Sequence, residues 1–253
     1  MNRRVLGIVP ARLGSTRLPR KPLHPLLGTP LLEWVWQRVE RMRVLDHAVV
    51  ATDSGEVAAV CRSIGAPVVI TRADHLSGTD RVAEVASAAS FSGFDCIVNI
   101  QGDEPLVEEE HVAAAVRLVT DGPWEVGTCA TPLRDTVDAT DPARVKVMVD
   151  AEGRAWAFSR SLPGVVPPTH AVLSHIGIYA YNRDALLRWA TLPPSSGEVG
   201  ERLEQLRALD AGMAIGVAVV KDAHRGVDTH ADVARMEAEL TLMGHSNLVR
   251  ATT

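Results

Sequence analysis

Short runs of apolar and β-branched residues alternate, through the first half of the chain, with stretches whose apolar side chains recur every three to four positions. The runs Val5–Val9, Ala48–Ala51, Pro67–Ile70, Asp95–Ile100 and Val126–Pro132 have the length and composition of strands. Between them, Leu31–Met42, Glu56–Ile64, Asp80–Ala89 and Glu109–Val119 carry helical spacing. In the first of these helices Leu31, Leu32, Val35, Val39 and Met42 share one apolar face. Gly65 is placed to end the second helix at its C′ position. Glu108, Glu109 and Glu110 stand where the positive end of the fourth helix dipole would fall. Strand and helix in repetition predict a parallel sheet covered by helices on both faces.

After Pro132 the rhythm changes. Lys146–Asp150, Ala155–Ser159 and Leu173–Tyr181 read as strands, the first two joined through Glu152-Gly153. Pro163, Gly164, Pro167 and Pro168 make Leu162–Ala171 a loop. Helices over Arg183–Ala190 and Glu201–Ala211, a strand at Ala214–Val220, and a helix over Ala231–Met243 with Gly244 as its stop restore the α/β pattern. The expectation is one α/β unit over residues 1–253 with a partly antiparallel insertion at about 133–212. At 46% hydrophobic residues the chain has the material for a sizeable core.

A net charge of −5 argues against a broad basic surface for nucleic acid. Cys61, Cys96 and Cys129 are far apart and form no C-x-x-C, which points to a reducing compartment without disulfides. No apolar stretch approaches membrane-span length. Pro10 and Arg12 break the N-terminal apolar run too early for a signal peptide. A cytoplasmic protein is expected, with no membrane or nucleic-acid partner.

Cationic chemistry is therefore local. It gathers in Pro10–Pro22, where Arg12, Arg17, Arg20 and Lys21 follow the first strand. Lysine occurs elsewhere only at Lys146 and Lys221. Such a turn suits a polyphosphate: side chains neutralise it, and backbone N–H groups around Gly14 and Ser15 supply directed donors. It is not a P-loop, because G-x-x-x-x-G-K-[ST] is missing. It is not the fingerprint of a dinucleotide oxidoreductase, because G-x-G-x-x-G is missing. Open α/β sheets bind ligands beyond the C-terminal ends of their strands. That makes neighbours of Arg12–Lys21, Thr52-Asp53-Ser54 and Gln101-Gly102-Asp103-Glu104-Pro105.

In the last segment, Asp103 or Glu104 reads equally as a helix cap or as a Mg²⁺ ligand, and the basic turn favours the metal. In Gly226-Val227-Asp228-Thr229, Asp228 could be a second metal carboxylate, although the segment alone favours an N-cap. Ser77 and Gly78 leave backbone groups free for a base edge, or cap the helix that follows. Arg160 is a candidate fork for a carboxylate or phosphonate. His175 and Tyr179, in a strand, and Glu204, in a helix turn, read first as structural residues.

Together these segments resemble the CMP-sugar-acid synthetases, and among them most nearly the 3-deoxy-manno-octulosonate (KDO) cytidylyltransferases. The resemblance lies in P-A-R-x-x-S-T-R-L-P-x-K-P-L at 10–23, A-T-D at 51–53, T-R-A-D-H-x-S-G-T-D-R at 71–81 and V-N-I-Q-G-D-E-P at 98–105. It continues through V-K-V at 145–147, F-S-R at 158–160, H-I-G-I-Y at 175–179, L-E-Q-L-R at 203–207 and G-V-D-T at 226–229.

The resemblance implies a Rossmann-like nucleotidyltransferase fold of the glycosyltransferase-A type, with a mixed sheet. It also implies a homodimer and Mg²⁺-dependent transfer of CMP from CTP to a small acidic acceptor with release of pyrophosphate. By position, Pro10, Ala11, Arg12, Ser15, Arg17, Lys21, Asp53, Arg72, Ser77, Gly78, Gln101 and Asp103 would bind CTP. Arg12, Lys21, Asp103 and Asp228 would be catalytic, the two aspartates as metal ligands. Gln101, Arg160, His175, Tyr179, Glu204 and Gln205 would line the acceptor pocket, within the subregion at about 133–212 for the last five.

Three departures stand out. Arg20 occupies a family glycine position, the segment between Arg160 and His175 is short and proline-rich, and Ser195–Arg202 is unusual. They motivate a smaller anionic acceptor, such as a phosphonate or phosphonoformate, as the alternative. A non-catalytic nucleotide-binding regulator is disfavoured by the presence of both candidate metal carboxylates.

Overall fold

A computed structural model describes residues 3–134 and 136–251. Strand β1 (Val5–Pro10) runs into a long turn that ends in a 3-10 turn at Lys21–Leu23. A small antiparallel ribbon of β2 (Pro25–Leu26) and β3 (Thr29–Pro30) follows. Strand–helix alternation then holds through α1 (Leu31–Val39), β4 (His47–Thr52), α2 (Gly55–Ser63), β5 (Val68–Ile70), α3 (Gly78–Ser87), β6 (Cys96–Asn99), α4 (Glu109–Thr120) and β7 (Val126–Pro132). The second half comprises α5 (Thr136–Thr140), the hairpin of β8 (Lys146–Val149) and β9 (Ala155–Ser159), the long β10 (Ala171–Asn182) and α6 (Arg183–Thr191). It closes with α7 (Ser196–Glu201), α8 (Gln205–Asp210), β11 (Ile215–Val219) and α9 (His230–Ala251).

The central sheet has the order β11-β7-β10-β6-β1-β4-β5 and is mostly parallel. β10 runs antiparallel between β6 and β7. One edge of β10 follows β7, while the other pairs β8 through Ala171–Ser174 and β6 through Tyr179–Asn182. A bulge between Ile176 and Tyr179 makes the change of partner possible. The Thr128 hydroxyl lies against it, 2.7 Å from the Ile178 carbonyl and 3.2 Å from that of Ile176.

Strand periodicity divides the core. Leu6 and Ile8 of β1 pack with Val49, Val82, Val85 and Ile97 on one face. Val5 and Val9 pack with Val35, Trp36, Val50 and Val116 on the other. Full burial of such side chains contributes about 1.5–3 kcal/mol each. A third apolar cluster has direct bearing on function. Leu18, Leu26, Leu31, Leu106, Val227, Met236 and Leu240 bury together. Leu18 belongs to the basic turn, Leu106 follows Gln101–Pro105, and Val227 precedes Asp228, so α9 and this cluster fix three polar segments at once.

The helix expected over Leu31–Met42 ends at Val39, and two further sequence expectations differ more from the fold. The helix expected over Glu201–Ala211 is two helices, because Arg202 adopts a left-handed conformation (φ 55°) after α7. The Ser195 side chain and Glu198 form a reciprocal capping box that starts α7 early. The last helix runs past Gly244 to Ala251. A Cβ on Gly244 would meet no atom within 4 Å among the described residues, its φ is not positive, and a glycine within a helix costs only about 1 kcal/mol. Gly65, by contrast, stands after α2 at φ 73°, as a C′ residue should. The three cysteines are free and buried. Burial pushes the Cys96 and Cys129 thiols up to about 12, which leaves neither a nucleophile at neutral pH. Among the described residues no helix is long and apolar enough to cross a membrane.

Candidate active site

The C-terminal ends of β1 and β6 open into a cavity of about 280 Å³. Its walls come from the basic turn (Pro10, Ala11, Arg12, Gly14, Ser15, Thr16, Arg17, Lys21), the start of α3 (Gly78, Arg81), Gln101-Gly102-Asp103, Glu204 and Asp228. Two glycines let these segments close together. A Cβ on Gly102 would come within 2.8 Å of the Pro10 carbonyl oxygen, and one on Gly226 within 3.2 Å of that of Asp103. The Val227 N–H then bonds the same Asp103 carbonyl at 2.8 Å, which brings Asp228 to the side of Asp103.

The two carboxylates meet on one ammonium. Lys21 Nζ lies 2.5 Å from Asp103 Oδ2 and 2.9 Å from Asp228 Oδ1. Arg17 adds a contact to Asp228 Oδ2 at 3.1 Å. Burial alone would lower the Lys21 pKa, but the charges of Asp103 and Asp228 and their hydrogen bonds outweigh it and hold it above the usual lysine value. Arg12 is exposed at the cavity wall, with no ion-pair partner among the described residues, and is free to meet an anion. Glu104 plays a different part from its neighbour. Burial and the Asp103 charge push its carboxyl up to about 8, so it is largely neutral at pH 7, whereas Asp103 faces the cavity.

Arg81 lines this cavity and was not singled out from the sequence. It is 2% exposed, and its guanidinium is held by the Thr71 hydroxyl and, at 3.3 Å, by Asp53 Oδ2. A cation on the buried face of α3, beside Val82 and Val85, was the available signal. Asp53 thus reaches the site through Arg81. Ser77 caps α3 on the Asp80 N–H at 3.0 Å, and Arg72 is exposed beside Asp74.

Of the acceptor-side residues, Gln101 and Glu204 line the cavity and the others do not. Arg160 donates through Nε to the Glu201 carbonyl at 3.0 Å and through a terminal nitrogen to that of Pro142 at 3.2 Å. His175 is hydrogen-bonded to the Thr128 hydroxyl at 2.9 Å, and burial pulls its imidazole down to about 3. Tyr179 is buried among His175, Tyr181 and Trp189. Gln205 is buried at the start of α8.

Arg20 turns away from the cavity. Its backbone is left-handed (φ 58°, ψ 32°), a conformation glycine adopts without steric cost, and its side chain pairs with Glu56 at 2.5 Å on the surface. The extra charge expected at the phosphate turn is taken up by Glu56.

An open α/β sheet with cations and paired carboxylates converging beyond its strand ends is the arrangement of a nucleotidyltransferase. The chain belongs to the cytidylyltransferase family, whose model matches residues 6–215. It is 47% identical over 251 residues to a 3-deoxy-manno-octulosonate cytidylyltransferase of Gemmatimonas aurantiaca, covering 96% of each chain. It is 44% identical over 235 residues to one of Leptospira interrogans, covering 92% of this chain and 94% of that one. The solved structure of a CMP:2-keto-3-deoxy-manno-octonic acid synthetase complexed with CTP superposes with a TM-score of 0.86 at 35% identity, covering 95% of this chain and 99% of that one. A 4-diphosphocytidyl-2C-methyl-D-erythritol synthase from Anaerococcus prevotii shares the fold alone, with a TM-score of 0.63 at 11% identity, covering 94% and 99%.

Proposed function

We propose that this protein transfers CMP from CTP to 3-deoxy-manno-octulosonate with release of pyrophosphate. The observation that carries the reading is the meeting of Lys21, Asp103 and Asp228 beneath the arginines of the basic turn. An acceptor hydroxyl attacks the α-phosphorus in line with the departing pyrophosphate. Both reactants are anionic, so the protein contributes positive charge and alignment rather than a covalent nucleophile. Arg12 and Arg17 hold the phosphates at the mouth of β1, and the donors of the turn orient them. Lys21 follows the charge that develops across the scissile bond. The start of α3, with Gly78 and Arg81, frames the nucleoside end.

Asp103 and Asp228 would hold Mg²⁺. They fit it, because two carboxylates that already converge on one cation supply the hard oxygen ligands Mg²⁺ prefers, leaving its other positions to phosphate and water. Bound there, the ion would polarise the α-phosphate and lower the pKa of the attacking hydroxyl. Gln101 and Glu204 face the acceptor end, with Arg160, His175, Tyr179 and Gln205 behind it. The chain would act as a cytoplasmic homodimer through the subregion at about 133–212, where Trp156, Leu162 and Val165 are exposed apolar residues. KDO is favoured as acceptor by the relatives' coverage and identity, and Arg20, paired with Glu56, no longer argues for a smaller one.

Pyrophosphate release tests the reading directly. CTP with KDO should turn over robustly, while UTP, or phosphonoformate in place of KDO, should give little. Asp103→Asn should remove most activity from a folded protein. Turnover of phosphonoformate without turnover of KDO would refute the acceptor assignment.

A further inference from the structure

Glu204 stands in the cavity wall, yet its carboxylate is engaged by helix α3. It accepts hydrogen bonds from the backbone N–H groups of Gly78 and Thr79, each at 3.2 Å, and from the Thr79 hydroxyl at 2.7 Å. The N–H groups of a first helical turn have no partners within the helix, and the dipole favours an anion beside them. Ser77 satisfies the Asp80 N–H of this turn, and Glu204 satisfies the two that Ser77 leaves. A second tie runs in parallel. Arg207, in α8, pairs with Asp80 of α3 at 3.3 Å and is held by Glu198 of α7 at 2.6 and 2.8 Å. The left-handed turn at Arg202 separates α7 from α8, and the Glu204 carboxylate reaches α3 from the junction that follows it.

We propose that Glu204 is a positioning residue for the nucleotide half of the cleft. It sets the first turn of α3, and through that turn the Gly78 backbone and the Arg81 guanidinium, both of which line the cavity. The inference rests on the reading that this cleft takes CTP, and it gives Glu204 work on the nucleotide side in addition to its place beside the acceptor. An acceptor group that engages Glu204 then draws on the same carboxylate that shapes the nucleotide half.

The test is calorimetric titration of the full chain with CTP and Mg²⁺ in the absence of any acceptor. Glu204→Ala should weaken CTP binding about tenfold, the order expected when hydrogen bonds to a charged acceptor are lost. Glu204→Gln, which keeps the shape but not the charge, should fall between wild type and alanine. Thr79→Val, which removes one of the three donors, should reproduce part of the loss. Circular dichroism melting establishes that each variant is folded, and the near-isosteric glutamine carries the test should alanine unfold the chain. Unchanged CTP affinity in a folded Glu204 variant overturns the proposal and leaves the CTP reading standing. Failure of the wild-type chain to bind CTP overturns both.

Discussion

Replacing Lys21 by methionine should move metal affinity and catalysis in opposite directions. The substitution keeps the length of the side chain and removes the one ammonium that Asp103 and Asp228 both contact. The contacting oxygens of the two carboxylates lie 2.5 and 2.9 Å from that ammonium, which leaves them no more than about 5 Å apart, a repulsion of about 3 kcal/mol at an effective dielectric of about 20. Asp228 is 41% exposed, so solvent screening reduces this to about 1–2 kcal/mol. A divalent cation that enters between them relieves that repulsion without having to displace an ammonium. Mn²⁺ titrated into Lys21→Met without nucleotide should therefore bind about tenfold more tightly than to wild type. On the proposed reading, catalysis loses what Lys21 would supply to the phosphates. One to two charge-assisted hydrogen bonds, together about 3–4 kcal/mol, correspond to a fall in kcat/KM for CTP of about several hundredfold. Electron paramagnetic resonance of Mn²⁺ and continuous pyrophosphate release measure the two quantities separately. Unchanged or weaker Mn²⁺ binding, or a kcat/KM within about threefold of wild type, would refute the reasoning.

Arg81→Met should destabilise the fold by about 3 kcal/mol, because it leaves Asp53 beside the cavity without its cation; urea denaturation should show Asp53→Asn recovering part of that loss. Arg20→Gly should leave kcat/KM for CTP within about twofold and the melting temperature level or slightly raised, since it relieves a left-handed backbone and removes only an exposed ion pair; a large loss of activity would place Arg20 in the site after all. His175 gives the chain an acid-side liability. Its folded pKa of about 3 lies below the unfolded value of about 6.5, so between those values the unfolded chain binds the extra proton and stability falls with pH. From pH 7 to pH 5 that amounts to about 2 kcal/mol, and His175→Gln should lose that much less in urea melts at the two pH values; parallel losses would contradict it.

The basic wall of the cavity was legible because its residues are concentrated in one segment: four cations within Arg12–Lys21 directly after a buried strand. Arg81 was not, because its meaning lies in partners brought by other elements, Asp53 at the end of β4 and Thr71 after β5. The same limit explains the helix break at Arg202. Residues 201–211 have good local helix propensity and no glycine or proline before Gly212. What interrupts them is tertiary: Glu201 accepts from the Ser159 hydroxyl at 3.0 Å and the Arg160 N–H at 3.1 Å, while Glu198 holds Arg207. Arg20 was legible as an exception but not in its consequence. A left-handed backbone at that position explains why glycine suits it, and only the folded chain shows Glu56 waiting for the side chain.

The site is assembled by apolar contact before it is completed by charge. Asp103 and Asp228 repel each other, and neither residues 11–20 of the basic turn nor residues 220–229 have strand or helix structure of their own to hold them in place. Leu18, Leu106 and Val227, 0–2% exposed, supply that hold by burying against Met236 and Leu240 of α9. At about 1.5–3 kcal/mol for each fully buried side chain, the cluster exceeds the screened repulsion between the carboxylates. Lys21 then neutralises part of what the packing has forced together. The last helix of the chain lies outside the sheet and, among the described residues, contributes no side chain to the cavity wall, yet its packing helps to keep Asp228 opposite Asp103.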